Sequence, residues 1–191
     1  MGTPRFLTIE RHVAVHEVGH LTVGLHVGID EQGIVFRPDR HDQTAQAWYR
    51  GVTPQQLISR SLAGILAHLI ILPQTLEPHL RESYQHSVIF TPDHPFFNRL
   101  TPAERGFISG AGTDLEIAYS ASMGIFPTSP GSVIKLLREV EQQTRSIIVQ
   151  QRQSILRIVD DIYAWASEDD RRDDVMFLYP VQRASSLIRR N

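Results

Sequence analysis

A mainly α-helical single domain with a small β-hairpin or short sheet is the fold class this sequence predicts, and three observations predict it. Apolar residues recur at helical spacing over long stretches, above all from Ser132 to Trp165. Strand-like runs are confined to Ile34 to Phe36 and Ala45 to Tyr49. The 191 residues, 41% of them hydrophobic, suffice for one core spanning residues 1–191, with neither an internal repeat nor a linker to divide it.

In chain order, Val13 to Leu25 is the first helix, helix-compatible and largely apolar. Ile34 to Phe36 and Ala45 to Tyr49 form a short hairpin whose edge can pair with an extended peptide, with Glu31 in the turn beside Gly33. Thr53-Pro54-Gln55-Gln56 is a helix start, threonine as the cap and proline at the first helical position, leading into Leu57 to Leu72 and a stop at Pro73. Thr91 to Gly106 reads as a proline-rich loop in which Phe96 and Phe97 anchor to the core or line a substrate pocket, while His94 is solvated. Thr101-Pro102-Ala103-Glu104 is a capping box opening a short helical turn, and Ser109-Gly110-Ala111-Gly112 is a small-residue approach to a further helix through Asp114. Within Ser132 to Trp165 the spacing of Val133, Leu137, Val140, Ile148, Ile155 and Ile162 implies one long helix or a helical hairpin. Glu168 to Asp174 is a solvated connection, and Val175 to Arg190 a terminal helix or docking tail.

The stretch that names a chemistry lies on the first helix. His16-Glu17-Val18-Gly19-His20 has the H-E-x-x-H spacing of a zinc peptidase. Residues i and i+4 share a helix face, so His16 and His20 reach one Zn2+ while Glu17 projects beside it toward the water at the metal. Zinc lowers that water's pKa and polarises a scissile carbonyl, and the carboxylate acts as general base and passes the proton to the leaving amine.

Zinc needs a third protein ligand. His26 stands where a longer H-E-x-x-H-x-x-G-x-x-H pattern has its third histidine, but Val23 occupies the glycine position and Gly24 comes one place late. If the helix continues, His26 is rotated off the ligand face and is a helix-end or loop histidine. Glu31 is no better placed.

With its apolar H-E-x-x-H helix and the distant Gly110-Ala111-Gly112-Thr113-Asp114-Leu115, the chain resembles the peptidase domain of the FtsH family of ATP-dependent zinc metalloproteases. That resemblance implies a helical zinc-metallopeptidase fold with Asp114 as the third metal ligand beside His16 and His20. It extends thinly to Gly33-Ile34-Val35-Phe36-Arg37-Pro38, to Leu57 to Ile71, and to Gly124-Ile125-Phe126. One departure stands out: Gly64-Ile65-Leu66-Ala67-His68-Leu69 replaces the family's Gly-Arg-Ala-Ala-Glu-Glu run, so an acidic position has become His68 or Leu69.

Absences complete the expectation. No phosphate-binding G-x-x-x-x-G-K-[ST] loop occurs, so unfolding of substrates comes from a separate ATPase or chaperone, or is unnecessary. There is no apolar run of membrane-spanning length and no targeting signal, which implies a soluble, cytoplasmic protein. A net charge of −2 without a basic face argues against nucleic acid, and the absence of cysteine excludes disulfides and thiolate ligands. The expected activity is endoproteolysis of unfolded or flexible polypeptides. The rival expectations are a metal-binding but non-catalytic adaptor or regulator that retains a peptidase fold, and a helical interaction module whose histidines are coincidental. The sequence leaves the oligomeric state open.

Overall fold

Apolar residues at helical spacing give helices through most of the chain, and the helices then find one another through their small residues. The computed structural model describes residues 10–36, 45–76, 78, 81, 87–88, 102–168 and 177–188. Helix α1 (Arg11–His26) is followed by strands β1 (Asp30–Phe36) and β2 (Ala45–Arg50), helix α2 (Pro54–Ile71), a 3-10 turn (Pro73–Thr75), helices α3 (Pro102–Ile125) and α4 (Pro130–Glu168), strand β3 (Phe177–Pro180) and helix α5 (Val181–Leu187). The described chain is mainly helical, with one small three-stranded antiparallel sheet. No helix among the described residues is long and apolar enough to cross a membrane.

Helix α2 is the centre of the fold. Its start is the one its sequence dictates: Thr53 accepts from the Gln56 N–H, Gln56 Oε1 accepts from the Thr53 N–H at 2.9 Å, and Pro54 opens the first turn. Its residues from Ile58 to His68 are all buried, because α1, α3 and α4 pack around it. The α1 seam is tight, since a Cβ on Gly19 would stand 2.5 Å from Ala67 Cβ and 2.8 Å from the Ala63 carbonyl oxygen. Around this seam Val15, Val18, Leu21, Ile58, Leu62, Leu66, Leu137, Ile148, Ile155 and Ile158 are sealed from solvent. Each such side chain contributes about 1.5–3 kcal/mol of transfer free energy on burial.

The sheet has the order β2-β1-β3, so the expected hairpin is present and gains a third strand. Ile34 lies opposite Ala47 on one side and Tyr179 on the other, and these three with Phe36 form the buried face. Trp48 and Leu178, on the neighbouring positions of β2 and β3, are about half exposed.

Several expectations are corrected by longer elements. The alternative of a hairpin between Ser132 and Trp165 falls: α4 is one helix of 39 residues, and no glycine or proline follows Gly131 to break it. Pro102 to Gly106, expected as loop and short helical turn, and Ser109 to Gly112, expected as an approach, are all inside α3. Glu31 is in β1 and not in a turn. Val175 to Arg190 is neither one helix nor a tail, because Phe177–Pro180 pairs with β1 before α5 begins. Phe96, Phe97, His94, Thr101 and the 169–174 connection lie outside the described residues.

Candidate metal centre

His16 and His20 stand one turn apart on α1, and α3 brings Asp114 to them from 98 positions along the chain. The His16 and His20 Nε2 atoms are 3.0 Å apart, and Asp114 Oδ2 is 3.1 Å from each. Three metal-ligating atoms therefore meet in a nearly equilateral triangle. Bonds of about 2.0–2.1 Å at tetrahedral angles set donor atoms about 3.3 Å apart, so this triangle matches one face of a tetrahedral zinc site to within a few tenths of an ångström. His20 forms a buried floor, at 4% exposure, while His16 and Asp114 are partly exposed and leave one side open. The residues present fit a divalent metal ion.

The tautomer follows from the packing. His20 Nδ1 is 2.7 Å from the Arg60 carbonyl, which only accepts, so Nδ1 carries the proton. Nε2 is then the metal-binding atom, as in sites where a backbone carbonyl orients the ligating imidazole. The other element that shapes the site is Gly64 on α2: a Cβ there would lie 2.5 Å from both Nε2 atoms. Only a residue without a side chain lets α2 pass beneath the two imidazoles.

Without a metal, Asp114 and His20 shift each other's titration in opposite directions. Burial opposes the charged form of Asp114, but the charges and hydrogen bonds of His20 and His16 outweigh it and hold the carboxyl well below the usual range. Burial also works against a charged His20. Asp114, by charge and hydrogen bond, prevails and raises the His20 pKa. A bound cation would take over the role of that proton.

Glu17 is set toward β2. Its Oε2 accepts the Ala47 N–H at 2.7 Å. The Ala47 carbonyl, on the same outer edge of β2, accepts from Arg60 at 2.7 Å. The sheet edge expected to receive an extended peptide is thus present, but at Ala47 both of its backbone groups are engaged.

The remaining histidines do not join the three ligands. His26 is in the last turn of α1. His68 is buried, stacks on His12 with ring centroids 5.3 Å apart, and bonds Thr75 Oγ1 through Nε2 at 2.7 Å. Burial first, and then the neighbouring His12 and His16, push its pKa down to about 4. Where the family pattern has an acidic residue, this chain has a neutral, stacked imidazole, with Leu69 partly buried against the core.

Glu31, Ala47, Arg60 and Gly64 belong to the site's surroundings without being marked by the H-E-x-x-H motif. Arg60 did leave a signal, as a lone charge in the apolar run from Leu57 to Leu66. No protein-family profile matches the chain, and no curated protein sequence matches it. Its functional reading therefore rests on the chemistry of the site.

Proposed function

We propose that this chain is a zinc-dependent metallo-endopeptidase, similar to an FtsH-type peptidase domain, that cleaves unfolded or flexible polypeptides. One observation carries the reading: two imidazole nitrogens and a carboxylate oxygen from separate helices converge at tetrahedral spacing beside an H-E-x-x-H glutamate. His16, His20 and Asp114 would hold the metal. When bound, zinc supplies Lewis acidity for a scissile carbonyl and acidifies a water.

Glu17 is the general base in this reading. The Ala47 N–H fixes its Oε2, which leaves Oε1 to take up a proton and deliver it to the departing amine. The partly exposed side of the site, between His16 and Asp114, is where a polypeptide enters. A second reading, a metal-binding adaptor or regulator that retains the fold, draws on the engagement of Glu17 by Ala47, which ties the carboxylate to the sheet.

Elemental analysis of the purified wild-type chain and of Asp114→Ala comes first, with the protein prepared without a histidine tag. About one zinc per chain in the wild type and little in the variant is expected of a three-ligand site. Glu17→Gln should keep its zinc and lose cleavage of an unfolded polypeptide by about 100-fold or more. Full cleavage by Glu17→Gln would remove Glu17 as the base, and zinc binding without wild-type cleavage would favour the adaptor.

A further inference from the structure

Arg60 is a cation sealed in the core, 6% exposed, and its hydrogen bonds run to groups around the three candidate ligands. Its backbone carbonyl receives the His20 Nδ1 proton. The guanidinium forks: Nε donates to Glu31 Oε1 at 2.7 Å, and a terminal nitrogen donates to the Ala47 carbonyl at 2.7 Å. The Tyr49 ring lies 4.0 Å from the guanidinium carbon and covers it from one face.

Glu31 is itself 2% exposed, and burial pushes its carboxyl up despite the Arg60 charge beside it. Room for it comes from Gly24 on α1, where a Cβ would collide with the Glu31 carboxylate. A connected series results, from Gly24 to Glu31, Arg60, the two backbone polar groups of Ala47 and finally Glu17. Replacing a buried ion pair of this kind by apolar residues of similar volume is often neutral or stabilising, so stability alone does not account for it.

We infer that Arg60, held by Glu31, is a positioning residue for Glu17: it clamps the Ala47 carbonyl, so the N–H of the same residue is fixed in direction and holds the Glu17 carboxylate beside the metal ligands. A peptide N–H can hold a carboxylate in one place only if its strand cannot roll, and among the described residues β2 has no neighbouring strand on that edge. Arg60 and Glu31 supply the missing constraint. The same residue, through its carbonyl, sets the His20 tautomer, so one position on α2 serves both the ligand and the base.

The inference rests on the peptidase reading for its kinetic consequence only, and its structural part is measured separately. The test uses the full chain loaded with zinc, comparing wild type with the double variant Glu31→Leu, Arg60→Met, which removes both charges and keeps comparable volume. Amide hydrogen exchange at Ala47 is the direct readout, with Glu17→Ala giving the rate for an amide that has lost its acceptor. In the double variant the Ala47 amide should exchange about tenfold faster, the effect of weakening one hydrogen bond, at unchanged zinc content. Turnover of an unfolded polypeptide should fall in kcat by about tenfold or more with KM little changed, as misplacement of a reacting group predicts.

Ala47 exchange at the wild-type rate would overturn the inference, as would an unchanged kcat in an active enzyme. If the wild type itself cleaves nothing, the peptidase reading fails and the exchange rates alone decide the positioning role. Should the double variant not fold, Arg60→Lys keeps a cation beside Glu31 without the planar fork. Its Ala47 amide should exchange at a rate between those of wild type and Glu17→Ala, and wild-type exchange there would equally overturn the inference.

Discussion

Gly64 has nothing beyond its α-carbon, and the ligand triangle fits above α2 for that reason. A methyl group at that position would lie 2.5 Å from two imidazole nitrogens that must themselves stay close, so Gly64→Ala drives the ligands apart. The expected cost is about 10–100-fold in zinc affinity, measured by chelator competition, with an overpacking penalty of about 1–3 kcal/mol in stability. Unchanged affinity would mean that the metal does not sit in this triangle. His68, one turn along the same helix, carries a second residue-level prediction. Its folded-state pKa of about 4 lies below the ordinary value of 6.5, so the unfolded chain binds a proton that the folded chain refuses. The stability this contributes is complete above pH 6.5 and is lost as the pH falls from 6.5 towards 4. Between pH 7 and pH 5, wild type should therefore lose about 2 kcal/mol more than His68→Leu in urea unfolding under the same metal conditions. Equal losses would place a charge on His68 in the folded state.

The ends of α2 were more legible in the sequence than its partners. The Thr53 cap with Pro54, and the stop at Pro73, are local chemistry, and α2 begins and ends where they require. The two histidines of α1 share a face because their spacing alone demands it. Asp114 is different, since nothing local distinguishes it from the other acids of the chain. It was singled out only through the resemblance of its flanking glycines and alanines to a family pattern, and α3 does bring it to the two histidines. Strand β3 was missed because Phe177–Pro180 is short and becomes a strand by pairing with β1, which lies far earlier in the chain. The Glu31 and Arg60 pair was missed for the same reason: 29 positions separate two charges whose meeting depends on how β1 and α2 pack. The lone charge of Arg60 in an apolar run hints at its burial, but its partner is a property of the packed elements and cannot be read from the sequence.

For the whole molecule, the ligand set joins α1 to α3 across α2, so a bound ion ties together the helices on which the core is built. Ligand binding to the folded state alone stabilises it by about 4 kcal/mol when free zinc exceeds Kd about a thousandfold. For a chain of this size that corresponds to a rise of about 8–16 °C in Tm. Chelation should remove the rise in wild type, and Asp114→Ala should show little zinc dependence from the start. The effect should weaken as the pH falls through the His20 pKa, which Asp114 raises above its ordinary value, because zinc must then displace a proton. A Tm indifferent to chelator in fully loaded wild type would separate the metal from the fold.

The 98 positions between His16 and Asp114 have a temporal meaning as well. A polypeptide grows from its amino end, so the ribosome releases both histidines and Glu17 long before it releases the aspartate. During that interval the nascent chain holds two of the three ligands and Glu17, but not the aspartate that completes the candidate site. In the proposed peptidase, cutting power would arrive in one late step, when the third helix docks, so that an unfinished copy could not turn on itself or on the machinery that is making it.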